Sequence, residues 1–150
     1  MDNYTVLVDA LIKAECDGNP QHEQVLQLGP TPQQLIDRAG FTALPLVVTG
    51  KVIGKACFDH GLRISVLKRL PQILAAPKGL FRSANPGHGD SVVVLTFESH
   101  AGAPIIVPVR HNQQIGRQQC YNLVTSVYGK GGPDPHAKWS AEGLLIWEAP

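Results

Sequence analysis

The chain has 150 residues, about one domain's worth. Its 43% apolar and 17% charged residues allow a sizeable core and argue against a disordered chain. Lys and Arg total 13 against 12 Asp and Glu, and this net charge of +1 excludes a polybasic nucleic-acid binder acting through bulk charge.

Charge is distributed unevenly along the chain. Residues 1–50 carry a local net of −4, residues 51–82 carry +6 with Asp59 as the lone acid, and residues 83–150 carry −1. The basic middle segment reads either as a solvated helix face or as a local phosphate-binding surface. No run approaches the roughly 18–20 apolar residues of a membrane span, and the Met1-Asp-Asn-Tyr4 start lacks the basic segment of a signal peptide. Cys16, Cys57 and Cys120 form no CxxC and read as small buried apolar residues. A protein of a reducing compartment, with no membrane partner, is the expectation.

In chain order, Asn3 to Glu15 has apolar residues at helical density, ended by the Asp17-Gly18-Asn19-Pro20 turn. Thr31-Pro32-Gln33-Gln34 is a helix start, with Thr31 as cap, Pro32 in the first helical position and Gln34 reaching back; Gly40 closes the helix. Leu46–Thr49 is a short strand. Residues 55–76 are helical in pattern, interrupted at Gly61 and Pro71 and stopped by Pro77.

After Gly79 the pattern turns strand-like. A turn at Gly89-Asp90 precedes a β-branched strand, Ser91–Glu98, and a hairpin loop at 100–103 leads into Ile105–Arg110. Gln118–Tyr128 is a third strand and Leu144–Glu148 a fourth, while 129–138 is too rich in Gly and Pro for regular structure. The prediction is an α+β domain: N-terminal helices packed on a four-stranded antiparallel sheet. Along the third strand Asn122, Val124, Ser126 and Tyr128 share one face, and Tyr121, Leu123, Thr125 and Val127 the other. The second set reads as core and the first as facing a cleft.

Five stretches occur together in order: Leu28-Gly-Pro-Thr-Pro32, Val52-Ile-Gly-Lys-Ala-Cys-Phe-Asp-His60, Leu70-Pro-Gln-Ile-Leu-Ala-Ala-Pro77, Leu80-Phe-Arg-Ser83 and Asn122-Leu-Val-Thr-Ser-Val-Tyr-Gly-Lys130. Over residues 25–148 the chain resembles the nuclease-like domain at the C-terminus of phage MuF-type and polyvalent proteins. That domain belongs to the barnase–EndoU–colicin–RelE superfamily of metal-independent ribonucleases and toxins. The resemblance implies a single nuclease or toxin domain over 1–150, with 1–24 as a helical extension and an RNA-binding cleft on the sheet. It implies RNA as partner, a tRNA loop being one target, an antitoxin or immunity protein as inhibitor, and no cofactor. Such domains usually end long polyproteins or effectors. This chain begins with Met1, which suggests a free toxin, an excised effector domain or a descendant reused for binding.

Metal-independent cleavage needs a base for the ribose 2′-OH, cations around the phosphorane, and an acid for the leaving 5′-oxygen. His60 is the acid/base candidate, against a plainer reading as a helix C-terminal cap. Lys55 is the phosphate clamp, though in a regular helix five residues would set it some 140° from His60, by about 100° per residue. Ser126 and Tyr128 would reach one phosphate or base, Tyr128 also by stacking. Arg82, Ser83, Asn122 and Lys130 are expected to bind substrate. The remaining histidines show no HxH or HExxH spacing, Gly129-Lys-Gly-Gly132 lacks phosphate-loop context, and no GxSxG elbow is present, so no metal is expected. Two rivals stand beside the ribonuclease reading: a non-catalytic phage or plasmid module that binds a host protein or nucleic acid, and, more weakly, a phosphotransferase or nucleotidyl-transfer enzyme.

Overall fold

The computed structural model describes residues 3–85, 91–116 and 119–150. The turn expected at Gly89-Asp90 lies outside them.

Helix α1 (Asn3–Cys16) buries Tyr4, Val8, Leu11 and Ile12, spaced at threes and fours as one helical face requires. The Tyr4 hydroxyl donates to the Leu67 carbonyl at 2.6 Å, tying α1 to α4 (Ile64–Lys68). Against α1 also packs α3 (Gly50–Gly54). A Cβ at Gly50 would overlap the carbonyl of Gln21, and one at Gly54 the carboxylate of Glu15. Glycine at position 50 therefore allows the chain that follows α1, and Leu11 of α1 itself, to approach α3 closely.

The remaining helices are short. α2 (Gln33–Ala39) ends on Gly40, whose φ of +75° is the left-handed conformation of a C-cap. Thr31 does not cap it; its hydroxyl donates to the Leu44 carbonyl instead. α5 (Leu70–Ala75) carries Pro71 at its start, so this proline opens a helix rather than interrupting one.

The sheet corrects the four-stranded antiparallel expectation. Among the described residues its eight strands are β1 (Val25–Pro30), β2 (Pro45–Thr49), β3 (Gly79–Arg82), β4 (Ser91–His100), β5 (Ala103–Ile115), β6 (Gln119–Val124), β7 (Tyr128–Gly129) and β8 (Leu145–Glu148). They run in the order β1-β2-β6-β5-β4-β3-β8, with β7 on β5. The sheet is mixed, because β2 pairs parallel with β6 through Leu46 and Asn122, Val47 and Leu123, and Val48 and Val124. β1 and β3 escape a periodicity reading because each is short and carries glycine. A parallel partner far away in sequence leaves no local signal.

Two apolar layers cover the sheet. The larger gathers α1, α3, α4 and α5 over Leu26, Val48, Val94, Val107 and Val124. On the other face Phe81, Val93, Leu95 and Ile106 meet Trp139 of α6 (Pro135–Ala141), with the Phe81 and Trp139 centroids 5.4 Å apart. α6 lies partly in the stretch expected to be irregular. Asp134 starts it by accepting from the Ala137 N–H, with Pro135 in the first turn.

The two faces of β6 are also the reverse of the sequence reading. Asn122 and Val124 are buried, whereas Tyr121 and Leu123 are only half-buried. The strand stops at Val124, and its course resumes along β5 as β7, so one alternation does not run through to Tyr128. The cysteines depart from expectation as well, since Cys16 is exposed and Cys57 and Cys120 are half-buried.

Candidate functional site

α3 passes directly into a π-helical turn, Lys55–Asp59, closed by the His60 N–H donating to the Lys55 carbonyl at 3.0 Å. An i to i+5 closure sets residue 60 one turn above residue 55. The angular separation expected of a regular helix is thereby narrowed. Lys55 is exposed at the start of this turn and His60 half-buried at its end. Gly61 follows with φ +69°, a conformation open to glycine at no steric cost. A Cβ there would sit 3.6 Å from His100 Nε2.

His100 reaches this place from the β4–β5 hairpin. Ala101 (φ 50°) and Gly102 (φ 81°) form its two-residue turn, and positive φ at both central positions marks a type I′ hairpin. β7 then lays Tyr128 and Gly129 opposite Ile106 and Ile105. A Cβ at Gly129 would lie 3.7 Å from the Cβ of His100. The His60 and Tyr128 ring centroids are 5.6 Å apart, tilted by 40°. Three chain segments thus bring two imidazoles and a phenol together. Burial raises the Tyr128 hydroxyl above its ordinary pKa, which keeps it a neutral donor.

Beside this trio opens a cleft of about 340 Å³, lined among others by Leu62, Arg63, Ser65, Arg69, Glu98 and His100. Arg69 Nη2 donates to Glu98 Oε1 at 2.9 Å. That hydrogen bond holds the Glu98 carboxyl below its ordinary range and pushes the guanidinium further up, so both stay charged. Two guanidiniums, an imidazole, two hydroxyl-bearing serines and the Glu98 carboxylate thus line one cleft.

The other expected site residues are scattered. Lys130 is close by: its N–H donates to the Pro104 carbonyl at 2.8 Å, and it shares a neighbouring cavity with Ala101 of the hairpin. Ser126 is half-buried in the irregular stretch between β6 and β7. Asn122 is fully buried; its Oδ1 accepts from the Asn112 N–H at 3.0 Å, and its Nδ2 donates to Thr31 Oγ1 at 2.8 Å and to the Thr42 carbonyl at 3.0 Å. Its hydrogen bonds tie together β6, β5 and the chain around α2.

Arg82 and Ser83 sit away from the trio. Arg82 pairs with Val92 near the start of β4, whereas His100 ends that strand. Arg82 Nη2 donates to the Gly143 carbonyl at 2.6 Å, and the Ser83 hydroxyl accepts from the Asn85 N–H at 3.2 Å. Arg82 lines a separate cleft with Arg38, Phe41, Ser91 and His111, where the Phe41 and His111 rings stack at 4.8 Å.

Sequence reasoning missed His100, Arg63 and Arg69 as site members. The two arginines belong to the basic segment already visible in the charge distribution. His100 was hidden as a loop residue, and only the hairpin's position against Gly61 reveals it. Among the described residues, no group of three or more His, Cys, Asp or Glu side chains is placed to hold a metal ion, and no helix is long and apolar enough to cross a membrane.

Residues 51–149 match the family model of the phage MuF-C-terminal domain, a span that contains the π turn, the Arg-lined cleft, the hairpin and β7. Neither a curated protein nor a solved structure matches the chain significantly.

Proposed function

The chain belongs to the phage MuF-C-terminal domain family, and we propose that it is a ribonuclease toxin or effector domain cutting single-stranded RNA without a metal. The observation that carries this reading is the convergence of His60, His100 and Tyr128 beside the cleft of Arg63 and Arg69. The motifs that resemble the nuclease-like domain of phage MuF-type proteins favour the same reaction.

In this mechanism one imidazole takes the proton of the ribose 2′-OH as that oxygen attacks phosphorus. The O2′–P bond forms, the P–O5′ bond breaks, and the second imidazole, starting protonated, gives its proton to the departing 5′-oxygen. The products are a 2′,3′-cyclic phosphate and a 5′-hydroxyl, with no co-reactant. Arg63 and Arg69 hold the phosphate and offset the charge that develops on its non-bridging oxygens, Glu98 keeping Arg69 in place. Tyr128 donates its hydroxyl to the same group, and Lys55 and Lys130 bring further positive charge to the rim.

A toxin of this kind acts in a cytoplasm, its own host's or a target cell's, and needs a neutralising partner. An acidic protein covering the basic segment 51–82 fits that role. Expressing wild type and His60→Ala in cells, then sequencing RNA 3′ ends, tests the reading. New cyclic-phosphate ends with wild type alone are expected; intact RNA with both proteins soluble and folded contradicts it and favours a binding module.

A further inference from the structure

Phe97 is 64% exposed in β4, three residues before His100. Its ring face is open to a ligand that stacks on aromatic surface. With Arg69, Gln72, Ile73, Ala76 and Glu98 it lines a groove of about 190 Å³. Arg69 and Glu98 also line the larger cleft of His100 and Arg63, so their ion pair is the ridge the two spaces share.

We propose that Phe97 is the stacking platform for an unpaired base of an RNA strand whose backbone lies in the Arg63–Arg69–His100 cleft. This inference rests on the ribonuclease reading and adds a base-binding subsite to it. The flat ring accepts the face of any base, and the apolar surface of Ile73 and Ala76 flanks it. Gln72 brings an amide with both donor and acceptor to the base edge. Lys78 Nζ lies 6.0 Å from the ring centroid, the outer limit of a cation–π contact, so it adds positive charge without capping the ring tightly. Because Arg69 and Glu98 line both spaces, a base seated on the ring would belong to a nucleotide near the phosphate held in the cleft. A ring that stacks bases selects single strands, since paired bases keep their faces covered.

The test uses the whole protein and two short 2′-O-methyl RNA oligonucleotides, which lack the nucleophile: one carrying bases throughout, the other abasic. Phe97→Ala is expected to weaken binding of the base-bearing strand about 5- to 150-fold while leaving the abasic strand unchanged. Phe97→Trp is expected to restore base-dependent binding, with indole fluorescence quenched on addition of the strand. Equal binding of both strands by wild type and Phe97→Ala would overturn the platform, as would unquenched fluorescence in Phe97→Trp with the base-bearing strand bound. Phe97-dependent binding in a protein that leaves natural RNA uncut would keep the platform and remove the ribonuclease reading. Binding of neither strand by wild type would remove both.

Discussion

The His60 and Tyr128 rings lie 5.6 Å apart, and the glycine that follows each rests against His100. Gly61 must hold a positive φ for this, and Gly129 must pair with Ile105 beside the hairpin. The arrangement is thus built into the backbone rather than into flexible side chains, which is what a reaction needing fixed donors and acceptors requires.

His60→Ala and His100→Ala are each expected to lower RNA cleavage by about 10²–10⁴-fold, the usual contribution of a positioned acid or base. Both side chains are half-buried. The aromatic contact His60 gives up is worth about 0.5–1.5 kcal/mol, so melting should fall by only a few degrees. Thermal melts run beside cleavage assays separate a catalytic role from a structural one; a collapse in stability would assign His60 to the helix cap.

Arg63 is expected to contact phosphate directly. Arg63→Ala should weaken binding of a 2′-O-methyl RNA strand and flatten the plot of log K against log salt concentration by about 0.7, one single-strand phosphate contact. Fluorescence anisotropy over a salt series reads this slope. An unchanged slope would place Arg63 outside the interface.

Asn122 behaves differently. Asn122→Ala leaves the Asn112 N–H without its side-chain acceptor and takes one of two donors from the Thr42 carbonyl, which keeps the Leu44 N–H at 2.7 Å. The expected cost is about 1–3 kcal/mol, seen as a melting point lowered by roughly 3–10 °C. The folded fraction should still cleave RNA. Denaturant titration and cleavage per folded molecule check both halves of the prediction.

How much of this was legible from residues alone follows the range of the forces involved. α1, the αL close of α2 at Gly40 and the hairpin turn after His100 rest on neighbours in sequence, and their residues state them plainly. The β2–β6 parallel pair, the β6–β7 break and the inward turn of Asn122 depend on distant partners, so the alternation along 119–128 pointed to the wrong face. The candidate site divides the same way. His60 and Tyr128 stand in motifs, while His100, Arg63 and Arg69 join them only because the hairpin comes up against Gly61 and shares a cleft with the two arginines that flank α4. Arg82 and Ser83, close to that segment in sequence, lie by a different cleft because β3 carries them toward the start of β4.

The Arg69–Glu98 pair predicts a pH dependence. A carboxyl held below its ordinary pKa adds stability at pH values above the ordinary one, and loses that contribution as pH falls through the folded-state value. Arg69 is half-exposed, so solvent limits the pair to about 0.2–1 kcal/mol. Wild type should be more stable than Glu98→Gln near neutrality, and the gap should close below about pH 4. Melts of both proteins across pH test this; a gap constant down to strong acid would show that the ion pair contributes nothing.

The most direct test of the central claim is cleavage of a short single-stranded RNA by purified protein, beside the same strand with 2′-deoxyribose at the cleaved position. A 2′,3′-cyclic phosphate and a 5′-hydroxyl are expected from the all-ribose strand, the same products with His60→Ala formed at least about a hundredfold more slowly, and no cut at the deoxyribose. Cleavage that persists at the deoxyribose, or is indifferent to both His60 and His100, would contradict the claim.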